Sequence, residues 1–247
     1  MSADTAGAAA APARRRRRLL TGLPPERLAA LRAECARLTL LDDVEFGVRV
    51  LANTPTQEAR DREVLRRWAA TASEFGAELA AAHGLGPARG EGGVGVGGVG
   101  VGGVGVGGAS AVRVVERDGG LRPDRLLLAR YLSRPAPTVE LFTDTLDLAE
   151  ELVELLGWQA WFPRRTARAA ALVHEEAHDL LHHDKALRAA LRKRLGHRLL
   201  GGLLYAHIAG ADEVVAHAAS QAALGLPRTP LLLTAALARG AETLREN

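Results

Sequence analysis

From Gly90 to Gly108 the chain reads GEGGVGVGGVGVGGVGVGG, a repeat of glycine and valine with no polar period. Few of its side chains are large enough to pack, so no core can be built through it, and it is expected as a flexible linker or inserted loop over residues 89–110. The rest must therefore fold from two stretches, a helical region over 19–88 and a second region over 111–240, with 241–247 as a tail. The glycines do not suggest a nucleotide site. A phosphate-cradling loop needs its glycines between a strand and a helix, usually with Lys and Ser or Thr, and those residues are missing.

Across the 247-residue chain 47% of residues are hydrophobic but only 4% are aromatic. Most of the core must then come from aliphatic side chains on helices, which predicts a mainly helical α+β protein. LPPERLAALRAECARLTLL begins with prolines suited to a first helical turn. DDVEFGVRVLANT predicts a short second helix, and TPTQEARDREVLRRWAATASEFGAELAAAHGLG a third, with Leu65, Trp68, Phe75 and Leu79 on one face as core. After the repeat, AVRVVER and PTVELFTDT are rich in β-branched residues and predict two strands of a small sheet. DTLDLAEELVELLGW follows as an amphipathic helix with Asp144 as N-cap and Gly157 as its stop. Three further helices are drawn over RRTARAAALVHEEAHDLLHH, KALRAALRKRLGHRLLGGLLYAHIAG and ADEVVAHAASQAALGL, the last closed by Pro227.

The formal net charge is +3, and basic residues cluster in the arginine run Arg14–Arg18. Residues 1–18 are expected to be a disordered basic tail, because like charges repel and no apolar face repeats. Such a run can also attract nucleic acid without sequence specificity. The single cysteine, Cys35, has no internal disulfide partner. No segment resembles a secretory signal, and the longest apolar run is too short to span a bilayer. A cytoplasmic protein without a membrane anchor is expected.

Seven of the eight histidines fall between His174 and His217. His174 and His178 are four residues apart, so on a helix both rings leave one face and can reach a single ion, with Glu175 beside them. In this His-Glu-x-x-His pattern two neutral imidazoles bind zinc while a carboxylate takes a proton from attacking water, which makes Glu175 the candidate general base. The small apolar AAALV ahead of it argues for a buried helix rather than a solvated one. A third ligand is required, and ADEVVAHAAS offers Glu213, with Asp212 beside it and His217 one turn on. Glu213 is the first choice, and Asp212 and His217 are alternatives or partners behind the ligands. His182 continues the face of His174 and His178 and is a further candidate partner.

The run HEEAHDLLHHD followed by ADEVVAHAASQAALGL resembles the compact zincin-like metallopeptidases of the ImmA/IrrE type, and ARYLSRPAPTVELF looks like the strand ahead of their metal helix. The resemblance covers roughly residues 111–226. It implies a zincin-like core with a bound zinc ion, His174, His178 and Glu213 as ligands, Glu175 as the base, and a protein or peptide substrate such as a transcriptional repressor. Ala177 departs from the glycine common before the second histidine, and His217 follows Ala216 where Asn or another small polar residue is usual.

Two other readings fit parts of the pattern. Glu175 and His178 also have the Glu-x-x-His spacing of di-iron carboxylate bundles, to which Glu151 or Glu154 could contribute. Glu213 and His217 are one residue too far apart to supply the second such pair. Alternatively the protein is a non-catalytic interaction module whose metal merely fixes its helices, although structural zinc favours cysteine, which this region lacks.

Overall fold

In a computed structural model, residues 18–55, 57, 59–86, 112–199 and 204–246 are described. The Gly/Val repeat and Arg14–Arg17 lie outside them. The described chain is mainly helical with a small mixed sheet, the expected α+β class.

Three helices precede the repeat. The first, α1 (Pro25–Leu38), opens on its prolines and buries Leu31, Cys35 and Leu38 on one face. Next, α2 (Asp43–Ala52) is capped by Asp42, whose side chain accepts from the Glu45 amide at 2.7 Å. The third, α3 (Arg62–His83), buries Leu65, Trp68, Phe75 and Leu79 as the periodicity predicts and stops at Gly84 with φ 62°. It does not start at Thr54 and Pro55. Those residues sit in a turn region, and Asp61 is the cap, accepting from the Glu63 and Val64 amides.

After the repeat come β1 (Arg113–Arg117), a small hairpin of β2 (Leu121–Arg122) and β3 (Arg125–Leu126), then β4 (Ala129–Leu132) and β5 (Thr138–Phe142). The sheet order is β1-β5-β4, with β5 parallel to β1 and antiparallel to β4. Central β5 is buried, and its Glu140 is paired by Arg117 at 2.7 Å and Arg130 at 2.6 Å, as a buried charge requires. β4 is a free edge.

Helix α4 (Thr143–Leu156) follows β5 directly and stops at Gly157 as predicted, but Asp144 is not its N-cap. That position is Phe142. The Asp144 carboxylate turns back instead and accepts the amides of Gly119, Gly120 and Leu121, each at 3.0 Å. Gly120 is needed in that turn, because a Cβ there would lie 2.3 Å from the Leu127 carbonyl oxygen.

Helix α5 (Thr166–His183) carries the His-Glu-x-x-His motif and is followed by α6 (Lys185–Leu195). The long helix expected over 185–210 ends at Gly196, φ 67°, and gives way to a two-stranded pairing of β6 (Arg198–Leu199) with β7 (Leu204–Tyr205). Then α7 (Ala211–Leu224) brings Glu213 and His217, and α8 (Pro230–Arg245) closes the chain. The expected 241–247 tail is largely helix, held by Ala241 at 1% exposure.

Two cores form. One joins α1, α4, α8 and β5; the other joins α3, α7 and the second half of α5. The N-terminal helices therefore do not stand apart: α1 belongs to the first core and α3 to the second. Helix α5 runs through both, placing Ala167 and Ala171 in the first and Val173, Ala177 and Leu181 in the second. Helix α7 lies against α3 at backbone distance, which Gly76 permits, since a Cβ there would meet the Val215 carbonyl oxygen at 2.3 Å. The Ser220 hydroxyl ties α7 to α5 by donating toward the carbonyl of Ala170 at 3.0 Å. Among the described residues no helix is long and apolar enough to cross a membrane.

Candidate metal centre

With α7 held against α5, the side chains of His174, His178 and Glu213 meet. His174 Nε2 and His178 Nε2 are 3.1 Å apart, His178 Nε2 lies 3.3 Å from Glu213 Oε1, and His174 Nε2 lies 3.5 Å from Glu213 Oε2. The two imidazole nitrogens and the two carboxylate oxygens thus face one another across one small space, each oxygen toward a different ring. Donors bound at about 2.0–2.1 Å to a tetrahedral ion lie about 3.3–3.4 Å apart, so these separations are of the size a zinc site requires.

His217 also joins the cluster. Its ring packs on that of His174 with centroids 4.4 Å apart, and donor atoms of His174, Glu213 and His217 lie within 4.8 Å of one another. The Nδ1 atoms of His174 and His217 are buried with no protein hydrogen-bond partner. A buried unpaired donor or acceptor is costly; His174 Nδ1 lies across the ring from the Nε2 that faces Glu213, so an ion held at Nε2 leaves it to a polar group behind the site. The donor set of imidazoles and one carboxylate suits zinc.

The electrostatics prepare the same residues. Hydrogen bonds from His174 and His178 hold the Glu213 carboxyl well below its usual range, so it is ionised. Burial, followed by the charge of His174, pushes His217 well down, which keeps its ring in the neutral form a ligand needs. Burial would lower His178, but the hydrogen bond and charge of Glu213 outweigh it and raise the ring's pKa. The centre is open on one side: the Glu213 side chain is 48% exposed, against 16% for His174 and 24% for His178.

Glu175 stands beside this cluster with its pKa raised by burial against the pull of His174 and His178. The backbone N–H of Tyr131 faces that carboxylate and works against the rise. The register explains why that amide is available. Leu128 bonds Phe142 across the β4–β5 pair, so alternate residues 128, 130 and 132 face β5 and Tyr131 turns its N–H outward from the free edge. Nothing in the sequence marks Tyr131 for this role, because it rests on register. Its hydroxyl in turn contacts Asp179, one turn of α5 away from Glu175.

The remaining candidates take other positions. His182 is exposed, edge-on to the His183 ring at 5.0 Å, outside the cluster. Asp212 acts on His178 through its charge and lines the adjoining cavity. The α4 carboxylates are engaged elsewhere: Glu151 accepts the Leu19 and Leu20 amides at 2.6 and 3.1 Å, and Glu154 lies 3.8 Å from Arg18. Compared with known proteins, the chain matches no family model, no curated protein and no solved structure.

Proposed function

We propose that this protein is a zinc-dependent metallopeptidase, with His174, His178 and Glu213 holding the ion and Glu175 as the general base. The observation that carries the reading is the set of 3.1–3.5 Å separations among the donors of His174, His178 and Glu213, with the half-buried Glu175 carboxylate beside them. Bound zinc supplies Lewis acidity, which polarises a carbonyl and makes water nucleophilic near neutral pH. Glu175, with its raised pKa, accepts a proton from water and returns it to the leaving amine, while the Tyr131 amide holds the carboxylate in position. The Glu213 side of the cluster, 48% exposed, is the side from which a substrate would approach. The resemblance to ImmA/IrrE-type peptidases points to the same roles and to a protein substrate such as a repressor.

The test is metal content and cleavage together. One zinc per chain is expected, lost in His178→Ala and Glu213→Ala, and Glu175→Gln is expected to keep the ion while losing about 100-fold or more of peptide hydrolysis. Full activity in Glu175→Gln would reject the peptidase reading. Two irons per chain would restore the di-iron reading, which the engagement of Glu151 and Glu154 with the N-terminal segment disfavours.

His217 favours one second reading. Were it a fourth protein ligand, the site would be closed, as structural zinc sites are, and the protein would be a metal-fixed interaction module. X-ray absorption at the zinc edge separates the two: a shell of protein donors alone supports the closed site, and a shell completed by a solvent oxygen supports the peptidase.

A further inference from the structure

A cavity of about 360 Å3 opens next to His178, between the second half of α5, α6 and the segment leading into α7. Its floor is aliphatic, built from the buried side chains of Leu181, Leu191, Leu195 and Ile208. Its α6 wall carries two guanidinium groups, Arg188 and Arg192, one turn apart.

The charges in the cavity are arranged unequally. On the α5 and α7 side, Asp179 lies 3.1 Å from His183 Nδ1 and near the Tyr131 hydroxyl, although its Oδ1 has no hydrogen-bond partner, and Asp212 acts on His178. On the α6 side, Arg188 is pinned by donating to the carbonyls of Leu181 and His182 at the end of α5. Arg192 has no hydrogen-bond acceptor or carboxylate partner among the described residues, although it is only partly exposed. A half-buried guanidinium over an aliphatic floor is a ready binder for a carboxylate carried on a short apolar stem.

We infer that this cavity is a specificity pocket for a substrate carboxylate, with Arg192 as the residue that binds it and Arg188 fixing the wall from which it projects. This rests on the peptidase reading, since the pocket borders the proposed zinc ligand His178. The carboxylate has two sources: the side chain of a glutamate-like residue near the cleaved bond, or the C-terminus of the peptide. At about 360 Å3 the cavity has room for either a glutamate side chain or a C-terminal residue.

Binding is measured by calorimetry on zinc-loaded Glu175→Gln protein, so that turnover does not intervene. Three pentapeptides serve as probes: one with a central glutamate and blocked ends, the same with glutamine, and the glutamine peptide with a free C-terminus. One of the two carboxylate peptides is expected to bind about tenfold or more tightly than the blocked glutamine peptide, and which one does so identifies the source. Adding Arg192→Gln is expected to abolish the preference, and Arg192→Lys to keep part of it. Equal affinity for all three peptides, or a preference that survives Arg192→Gln, overturns the inference. Cleavage by the wild-type protein is scored separately: a carboxylate preference without hydrolysis would sink the peptidase reading and leave the pocket standing.

Discussion

His217 and Asp144 both carry polar atoms inside the fold, and they differ in what satisfies them. Asp144 accepts three backbone amides, so Asp144→Ala strands three donors and is expected to cost about 2–3 kcal/mol in denaturant unfolding. Burial works against the charged form of Asp144, yet those amides outweigh it and hold its carboxyl below the usual range. Its contribution is therefore present above the ordinary aspartate range and lost as pH falls through the depressed value. His217 is the reverse case, a ring with a buried unpaired nitrogen. His217→Phe keeps the ring and removes its donors, so apo stability should hold while zinc affinity, read by competition with a coloured chelator, falls about 10–100-fold. Unchanged affinity would place the ring outside the metal's influence. The pairing of His174 with His178 was legible because spacing by four needs only a helix. Asp144 as a turn clamp was not, since the same residue in the same place reads as a cap until the strand before it is placed.

At the scale of elements, α7 matters most, because it supplies Glu213 and must lie close to both α3 and α5. Gly76→Val puts side-chain atoms where the Val215 carbonyl stands, and the helices must part. It is expected to destabilise the protein by about 1–3 kcal/mol and to weaken zinc binding, measured by thermal unfolding and metal titration on the same sample. Loss of stability with full metal affinity would show that α7 can shift without moving Glu213. The sequence marked α3, α4 and α5 well, through faces that repeat at helical spacing and through Gly84 and Gly157 as stops. It failed at α6, where an apolar run continues past Gly196 with helical period although the glycine takes φ 67° and the chain turns into β6 and β7. The sheet edge was equally hidden, because which strand lies outermost depends on pairing that no single strand announces.

For the whole molecule, the two cores are interleaved in sequence: α1 packs with α8 and α4, and α3 with α7. Cutting the chain within the Gly/Val repeat should therefore yield two fragments that fail to fold alone, each exposing half of both cores. Helix content and proton chemical-shift dispersion of residues 18–86 and 112–246 would check this, and a well-dispersed spectrum from either would contradict it. The pH behaviour of the whole also divides by metal state. Without metal, burial opposes the charged form of His178 but the Glu213 hydrogen bond and charge raise its pKa. That contribution is full below the ordinary histidine range and fades as pH rises through the raised value. Zinc requires the neutral ring, so the rise in melting temperature caused by zinc should be largest at alkaline pH and shrink as pH falls through that same value. A zinc-induced shift independent of pH between about 5 and 8 would remove His178 from the ligand set.

Helix α5 has an end in each core, and that arrangement would make the proposed metal centre a gauge. The histidines ride on α5, anchored in both packings, while Glu213 rides on α7, anchored chiefly in one. Any slippage of one core past the other is then transferred to the 3.1–3.5 Å separations as an offset between the two ring nitrogens and the Glu213 carboxylate. A displacement too small to unfold anything is large against a coordination bond of about 2 Å, so ion occupancy should report the alignment of the two cores before any other property of the protein does.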